Sequence, residues 1–134
     1  METVNQIEYN GALYNIQDTE AQKNLVYSQN EIDTGKIWID GKKIYRKVIN
    51  CGAIQNGTLN EIPTNIVNME TVVKITAMAT STQYKLTTQM PYTSVGGKKK
   101  IIYIQSNNIY IYIDTVEETY DKCFVVLEYT KTTN

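Results

Sequence analysis

The sequence predicts an all-β domain, an antiparallel β-sandwich of jelly-roll-like form, and three observations support this class. Short apolar runs recur at even spacing between polar turns, as in KKIIYIQSNNIYIYID, which is typical of antiparallel strands. The chain has 11 tyrosines against one phenylalanine and one tryptophan, and tyrosine suits half-buried strands. The length of 134 residues fits one domain.

The first 34 residues are predicted to form an attachment or trimerisation leader. In QIEYNGALYNIQ, Asn10-Gly11 separates two short runs, which is the strongest short signal for a β-hairpin. The next segment, DTEAQKNLVYS, predicts a short helix capped by Asp18 or Thr19. The leader therefore has a hairpin and a helical turn of its own.

The polar stretch SQNEIDTG, residues 28–35, is predicted to be a linker, so we place the domain boundary there. The sandwich domain is then residues 35–134. It opens with GKIWIDGKKIYRKVI, where apolar residues alternate along a strand and Asp40-Gly41 predicts a two-residue hairpin turn. Trp38 lies on the opposite side of this strand from its isoleucines, and could stack on a sugar or pack in an interface; packing is the favoured interpretation.

The remainder of the chain predicts further strands separated by turns. The segment NCGAIQNGTLNEIPTNIVN is rich in Asn and Gly and predicts mostly loop. TSVGGKKK predicts a turn. The predicted strands are Glu70–Met78, Gln83–Met90, KIIYIQ, IYIYID and KCFVVLEYT.

The predicted strand IYIYI is apolar on both faces. Ile109, Ile111 and Ile113 share one face, and Tyr110 and Tyr112 share the other. A sheet with one wet face alternates apolar with polar residues, so this pattern indicates a sheet covered on both sides. Because the chain is short, we expect a second subunit to cover the outer face.

Composition excludes several functions. The chain has no histidine, which removes Ser-His-Asp and Cys-His catalytic arrangements and histidine zinc sites. The net charge of −1 disfavours nucleic acid as a partner. No apolar run approaches the ~20 residues that span a bilayer, and the N-terminus lacks the features of a signal peptide. Cys51 and Cys123 are expected to be reduced thiols, since two cysteines do not form a disulfide framework.

Candidate binding residues lie in three predicted loops, 79–93, 94–99 and 114–121, because loops on a rigid sandwich commonly carry specificity. Within them we single out Tyr84, Tyr92 and Lys98 as ligand contacts. The run Lys98–Lys100 after Gly-Gly lacks the pattern of a phosphate loop and is interpreted as a solvated turn, or as an attraction to an anionic surface polymer. Structural or interface roles are expected for Trp38, Asp40, Gly41, Tyr45, Tyr110 and Tyr112.

The run GKIWIDGKKIYRKVINCGAI, then NEIPTNIVNMETVVKITAMAT, NNIYIYIDT and VVLEYTKTT, resembles the C-terminal domains of bacteriophage tail and head fibre proteins. In that family a hairpin with the pattern W-x-D/N-G-K opens the domain and an LEYTKTT strand closes it. The match spans about residues 27–134, and the leader is similar to segments of phage tail proteins. EIPTNIVN departs from the His-Gly versions of the family, and no binding residue of the family carries over individually.

The resemblance implies a homotrimeric fibre tip on a virion, made in the bacterial cytoplasm and without enzymatic activity. No cofactor and no metal-ligating residue is predicted from the sequence. Its expected partners are other virion proteins and a bacterial surface glycan or polymer, with no nucleic acid and no membrane insertion. Two alternatives remain: a purely structural fibre or decoration protein without a receptor, and a carbohydrate-binding module. A glycosidase would need two carboxyl groups ~5–10 Å apart, and nothing in the sequence indicates that any two converge.

Overall fold

The structure is a computed structural model that describes residues 26–94 and 96–133, together with the backbone of two N-terminal strands. The described residues form strands, turns and loops and contain no helix. The strands are β1 (Gln6–Tyr9), β2 (Ala12–Asn15), β3 (Ile32–Ile37), β4 (Lys43–Asn50), β5 (Leu59–Pro63), β6 (Met69–Ser81), β7 (Leu86–Met90), β8 (Tyr92–Thr93), β9 (Lys99–Gln105), β10 (Asn108–Ile113) and β11 (Lys122–Lys131).

The predicted N-terminal hairpin is confirmed. β1 and β2 pair antiparallel, with Tyr9 opposite Ala12, as a two-residue Asn-Gly connection requires. The predicted helix after Asp18 lies outside the described residues.

Two antiparallel sheets share one hydrophobic core, which confirms the all-β class and agrees with a sandwich. A five-stranded sheet has the order β3-β4-β11-β6-β7, and a four-stranded sheet has the order β5-β10-β9-β8. Their inner faces contribute to a single buried cluster. The jelly-roll form and the trimeric state stay predictions.

Strand alternation explains the core. Ile109, Ile111 and Ile113 of β10 have no exposed surface, whereas the tyrosines between them are half-buried on the outer face, as predicted. On the other sheet, Val125 and Leu127 of β11 are fully buried. Each apolar side chain of this size contributes about 1.5–3 kcal/mol when it is fully buried, so these alternating positions hold the two sheets together.

The first hairpin differs from the prediction. The Gly41 N–H donates to the Trp38 carbonyl at 2.9 Å, and the Trp38 N–H donates to the Lys42 carbonyl at 2.8 Å, so the loop has three residues rather than two. Gly41, with φ of +87°, is the left-handed residue that closes such a loop. β3 ends at Ile37, so the strand alternation does not reach Trp38, and Ile39 is exposed at the tip.

The linker prediction for 28–35 is also wrong, because β3 begins at Ile32 and pairs with β4 across the predicted boundary between residues 34 and 35. The strand is irregular, and its polar composition has a structural reason. The Thr34 hydroxyl donates to the Ile44 carbonyl at 2.7 Å, and the Gly35 N–H donates to the Asp33 carboxylate at 2.9 Å. Side chains thus replace part of the backbone ladder at this edge.

Two other segments differ from the predictions. β5 lies inside the segment predicted to be loop, and pairs with β10 so that Ile109 is opposite Ile62. The predicted loop 79–93 consists largely of strand, since β6 extends to Ser81 and β7 and β8 follow a turn at 82–85. Only that turn and the segments 94–98 and 114–121 connect strands there.

The connections collect at two ends of the paired sheets. The turns 38–42, 64–68 and 106–107 lie together at one end, which we call the closed end. We call the loop end the connections 51–58, 82–85, 94–98 and 114–121. The antiparallel registers place these two sets at opposite ends of β11 and β10.

Candidate functional site

Hydrogen bonds fasten the connections of the loop end to one another. The Asn56 side-chain amide donates to the Glu118 carbonyl at 2.6 Å, which joins 51–58 to 114–121. Asp121 accepts the Thr82 N–H at 2.8 Å and the Thr82 hydroxyl at 2.6 Å, which joins the β6–β7 turn to the start of β11. The Lys99 N–H donates to the Asp114 carboxylate at 2.7 Å. The predicted loops therefore do form one surface.

The structure separates the three residues singled out as ligand contacts. Tyr84 lies in the β6–β7 turn and Lys98 in the β8–β9 turn, and both side chains are exposed. Tyr92, in β8, is 47% exposed and is the one of the three that lines a cleft.

The cleft opens between the edge strand β7 and the β8–β9 hairpin and has a volume of about 510 Å³. This size lies within the range of about 300–1,000 Å³ that is usual for small-molecule sites. The lining mixes hydroxyl, amide, aromatic and charged groups: Leu86, Thr87, Thr88, Gln89, Pro91, Tyr92, Ser94, Lys100 and Glu118.

Lys100 is the central residue of this cleft, and the sequence interpretation missed it. Its side chain lies on the inner face of β9, with Ile102 and Ile104, and the residue is only 7% exposed. Its ammonium lies 4.8 Å from the ring centre of Tyr92 and 5.8 Å from that of Tyr120. The sequence contains a signal for this position: Lys100, Ile102 and Ile104 alternate along β9 and therefore share its inner face. We had instead assigned Lys100 to a solvated turn.

Two titratable groups lie close to Lys100. Glu118 lines the cleft and is half-buried. Burial raises the pKa of Tyr120, and the negative charge of Glu118 raises it further. The buried Tyr120 hydroxyl has no hydrogen-bond partner among the described residues. The region beneath the cleft is thus poor in internal polar partners.

The predicted structural residues lie elsewhere. Trp38 is half-buried at the closed end, and Asp40 accepts the Lys42 N–H at 3.0 Å, which supports the turn at Gly41. Tyr45 packs against the core and stacks on Tyr129 at 6.2 Å between ring centres. These contacts agree with a framework role for the opening hairpin.

Both sheets have apolar outer faces. On the four-stranded sheet Tyr110 stacks on Tyr103 at 5.0 Å, and Tyr112 lies opposite Ile101. On the five-stranded sheet a groove of about 300 Å³ is lined by Tyr27, Val48, Lys74, Thr76, Met78, Phe124, Val126 and Glu128. Large apolar side chains therefore remain partly exposed on the outer faces of both sheets, in addition to those exposed in the closed-end turns, such as Ile39 and Val67.

The two cysteines are free but adjacent. The Cys51 N–H donates to the Cys123 carbonyl at 2.8 Å, where β4 leaves the sheet beside the start of β11. A hydrogen bond with the Cys123 thiol, together with burial, raises the pKa of Cys51. The same bond lowers the pKa of Cys123, but that side chain is fully buried and out of reach of a substrate. The pair therefore suits packing better than catalysis.

The described residues contain no cluster of three or more potential metal ligands, and no helix among them has the length and apolarity to cross a membrane. Comparisons with protein-family models, with curated proteins and with solved structures find no match to this chain.

Proposed function

We propose that this chain is a fibre component of a bacteriophage virion that adheres to the bacterial surface through its loop end. The sequence resemblance to phage fibre proteins supports the particle. One structural observation supports separate surfaces for assembly and for binding: an apolar groove lies on the outer face of the five-stranded sheet, while a ligand-sized cleft with polar and charged groups in its lining opens at the loop end. Side-to-side assembly would leave such an end free to meet a cell.

The assembly is a homotrimer in this proposal. Its contact between subunits is the outer face of the five-stranded sheet, which has the apolar groove, rather than the tyrosine face of β10, where the alternation of IYIYI predicted it. Phe124, Met78 and Val126 supply the apolar part of that face. Lys74 and Glu128 flank the same groove with opposite charges, so a second copy brings the complement of each. Three equivalent clefts then multiply a weak single contact through avidity.

The proposal is tested by the mass of the purified full chain and by its binding to cells. We expect light scattering to give the mass of a trimer and fluorescently labelled protein to bind some strains in a panel of bacteria with different surface polymers. A Phe124→Asp variant should be monomeric and should bind cells far more weakly. Tyr103→Asp, the matched change on the outer face of the four-stranded sheet, should stay trimeric.

The possible results separate this function from its alternatives. A trimer that binds no cells but binds purified phage particles would indicate a decoration or attachment protein. A monomer that binds glycans tightly would indicate a carbohydrate-binding module. Either result would overturn the proposal.

A further inference from the structure

The ammonium of Lys100 lacks a partner inside the chain. Among the described residues no hydrogen-bond acceptor and no carboxylate lies within bonding distance of its Nζ atom, and its only close polar contacts are the faces of two tyrosine rings. Most of the Lys100 side chain is buried, so its charge is only partly hydrated, and a cation–π contact offsets only part of that lost hydration. Lys100 lines the cleft, so a counter-charge can enter from outside.

We propose that the cleft between β7 and the β8–β9 hairpin binds one anionic group of a bacterial surface polysaccharide, with Lys100 as its charge partner. The shared chemistry is a sugar-borne oxyanion, either the carboxylate of a uronic acid or a phosphate ester. This inference deepens the proposed adhesive function and rests on it.

The remaining lining fits a saccharide around such an anion. Thr88 and Ser94 provide hydroxyl groups, and Gln89 provides an amide, all of which can exchange hydrogen bonds with sugar hydroxyls. Tyr92 is half-exposed at the entrance and adds apolar surface for a sugar ring. The volume of about 510 Å³ admits a mono- or disaccharide unit of a longer polymer.

Glu118 is the one carboxylate among the residues that line the cleft, and it provides a second test of anion binding. It lies too far from Lys100 for an ion pair, since no such contact within 4.0 Å occurs between them. A carboxylate accepts hydrogen bonds from sugar hydroxyls but repels a second anion. Removing the charge of Glu118 should therefore leave anion binding equal or stronger, whereas removing the charge of Lys100 should weaken it.

The experiment measures binding of the purified full chain to defined saccharides by titration calorimetry at low and at physiological salt. Cellobiouronic acid tests the carboxylate, glucose 1-phosphate tests the phosphate, and cellobiose is the neutral comparison. We expect at least one anionic saccharide to bind more tightly than cellobiose, and the difference to shrink with salt. The saccharide that binds more tightly identifies the source of the anion.

Three variants assign that binding to the cleft. Lys100→Met should weaken binding of the anionic saccharide about 10- to 100-fold, because a charge-assisted hydrogen bond is lost. Lys99→Met is the matched control, since Lys99 precedes it on β9 with an exposed side chain, and it should bind like the unchanged chain. Glu118→Gln should bind the anion equally or more tightly. Circular dichroism and melting temperature verify that each variant is folded.

Failure of this inference is distinguishable from failure of the proposed function. If the chain binds cells but Lys100→Met binds them and the anionic saccharides as well as the unchanged chain does, the cleft assignment is wrong and adhesion stands. If the chain binds neither cells nor any saccharide, both are wrong. Equal binding of cellobiose and the anionic saccharides would also overturn the inference.

Discussion

The polar groups that join the closed-end turns differ from those beneath the loop-end cleft in whether they have partners inside the chain. At the closed end the Thr64 hydroxyl bonds to Asn107 at 2.8 Å and accepts the Ile66 N–H at 3.2 Å, while the Asn107 amide donates to the Ile66 carbonyl at 2.8 Å. At the loop end the Lys100 ammonium and the Tyr120 hydroxyl have no such partners among the described residues.

This difference indicates which polar groups stabilise the fold and which are available to bind a ligand. Satisfied polar networks fix one conformation, and the closed end uses its network to join the β5–β6 and β9–β10 connections. Unsatisfied groups reduce stability, and they persist at sites where an external partner completes them. The comparison therefore predicts a loss of stability when the closed-end network is broken and a gain when the charge of Lys100 is removed.

The largest loss is expected at the closed end. Asn107→Ala removes the side-chain bonds to Ile66 and Thr64, and it places alanine, which tolerates the left-handed region less well than asparagine, at a residue with φ of +67°. We expect the free energy of unfolding to fall by about 2–4 kcal/mol, measured by urea denaturation. Asn108→Ala is the control, since its amide makes an exposed bond to Glu61, and it should cost under about 0.5 kcal/mol. Equal losses would contradict the account.

A smaller loss is expected where the loop end is crowded. Gly57 has φ of +76°, and a Cβ atom there would lie 2.7 Å from the Thr115 hydroxyl oxygen. Gly52 has φ of +67° but has open space around it. Gly52→Ala should therefore lower the free energy of unfolding by about 1 kcal/mol through backbone strain alone, and Gly57→Ala by about 2 kcal/mol. A reversed order would show that Gly57 does not hold the connection 51–58 against 114–121.

A gain is expected from removing the charge of Lys100, because the surrounding protein restricts its hydration. Lys100→Met keeps the length of the side chain but removes its ammonium, so we expect the free energy of unfolding to rise by about 1 kcal/mol without ligand. Thermal denaturation of the variant beside the unchanged chain measures this. A loss of stability would mean that Lys100 is a structural residue.

The smallest effect concerns acid stability. Hydrogen bonds from the hydroxyl and then the backbone N–H of Thr82 hold the pKa of Asp121 below its ordinary value of 3.8. A group whose pKa is lower in the folded state contributes stability above its unfolded pKa and loses it as the pH falls through the folded pKa. Asp121→Asn should thus lower the melting temperature slightly at neutral pH and flatten its decline below about pH 4. If the melting temperature of the variant declined below about pH 4 as steeply as that of the unchanged chain, the hydrogen bonds between Thr82 and Asp121 would not have the proposed role.

Much of the framework could be predicted from the sequence, because alternation reports burial directly. Ile109, Ile111 and Ile113 followed the pattern, as did β9, β11 and the N-terminal hairpin. β5 was missed because its polar alternate positions and flanking Asn and Gly resemble a loop, and its strand character comes from pairing with β10. β3 was missed because side-chain hydrogen bonds replace its backbone ladder.

The site was harder to predict than the framework. Tyr92 was identified as an exposed aromatic residue, but its proximity to β7 depends on how the two sheet edges approach each other, which no local pattern encodes. Lys100 was assigned to a turn because two lysines precede it, although its position in the alternation of β9 places it inward. Charge runs therefore need to be interpreted together with strand register.

The location of ligand binding tests the central claim most directly. Backbone amide chemical shifts of the ¹⁵N-labelled full chain can be followed during titration with cellobiouronic acid and glucose 1-phosphate. The account predicts that shifts concentrate at β7, the β8–β9 hairpin and 114–121, and that 64–68 and 106–107 do not respond. Shifts centred on the closed end, or no saturable shift with either saccharide, would contradict it.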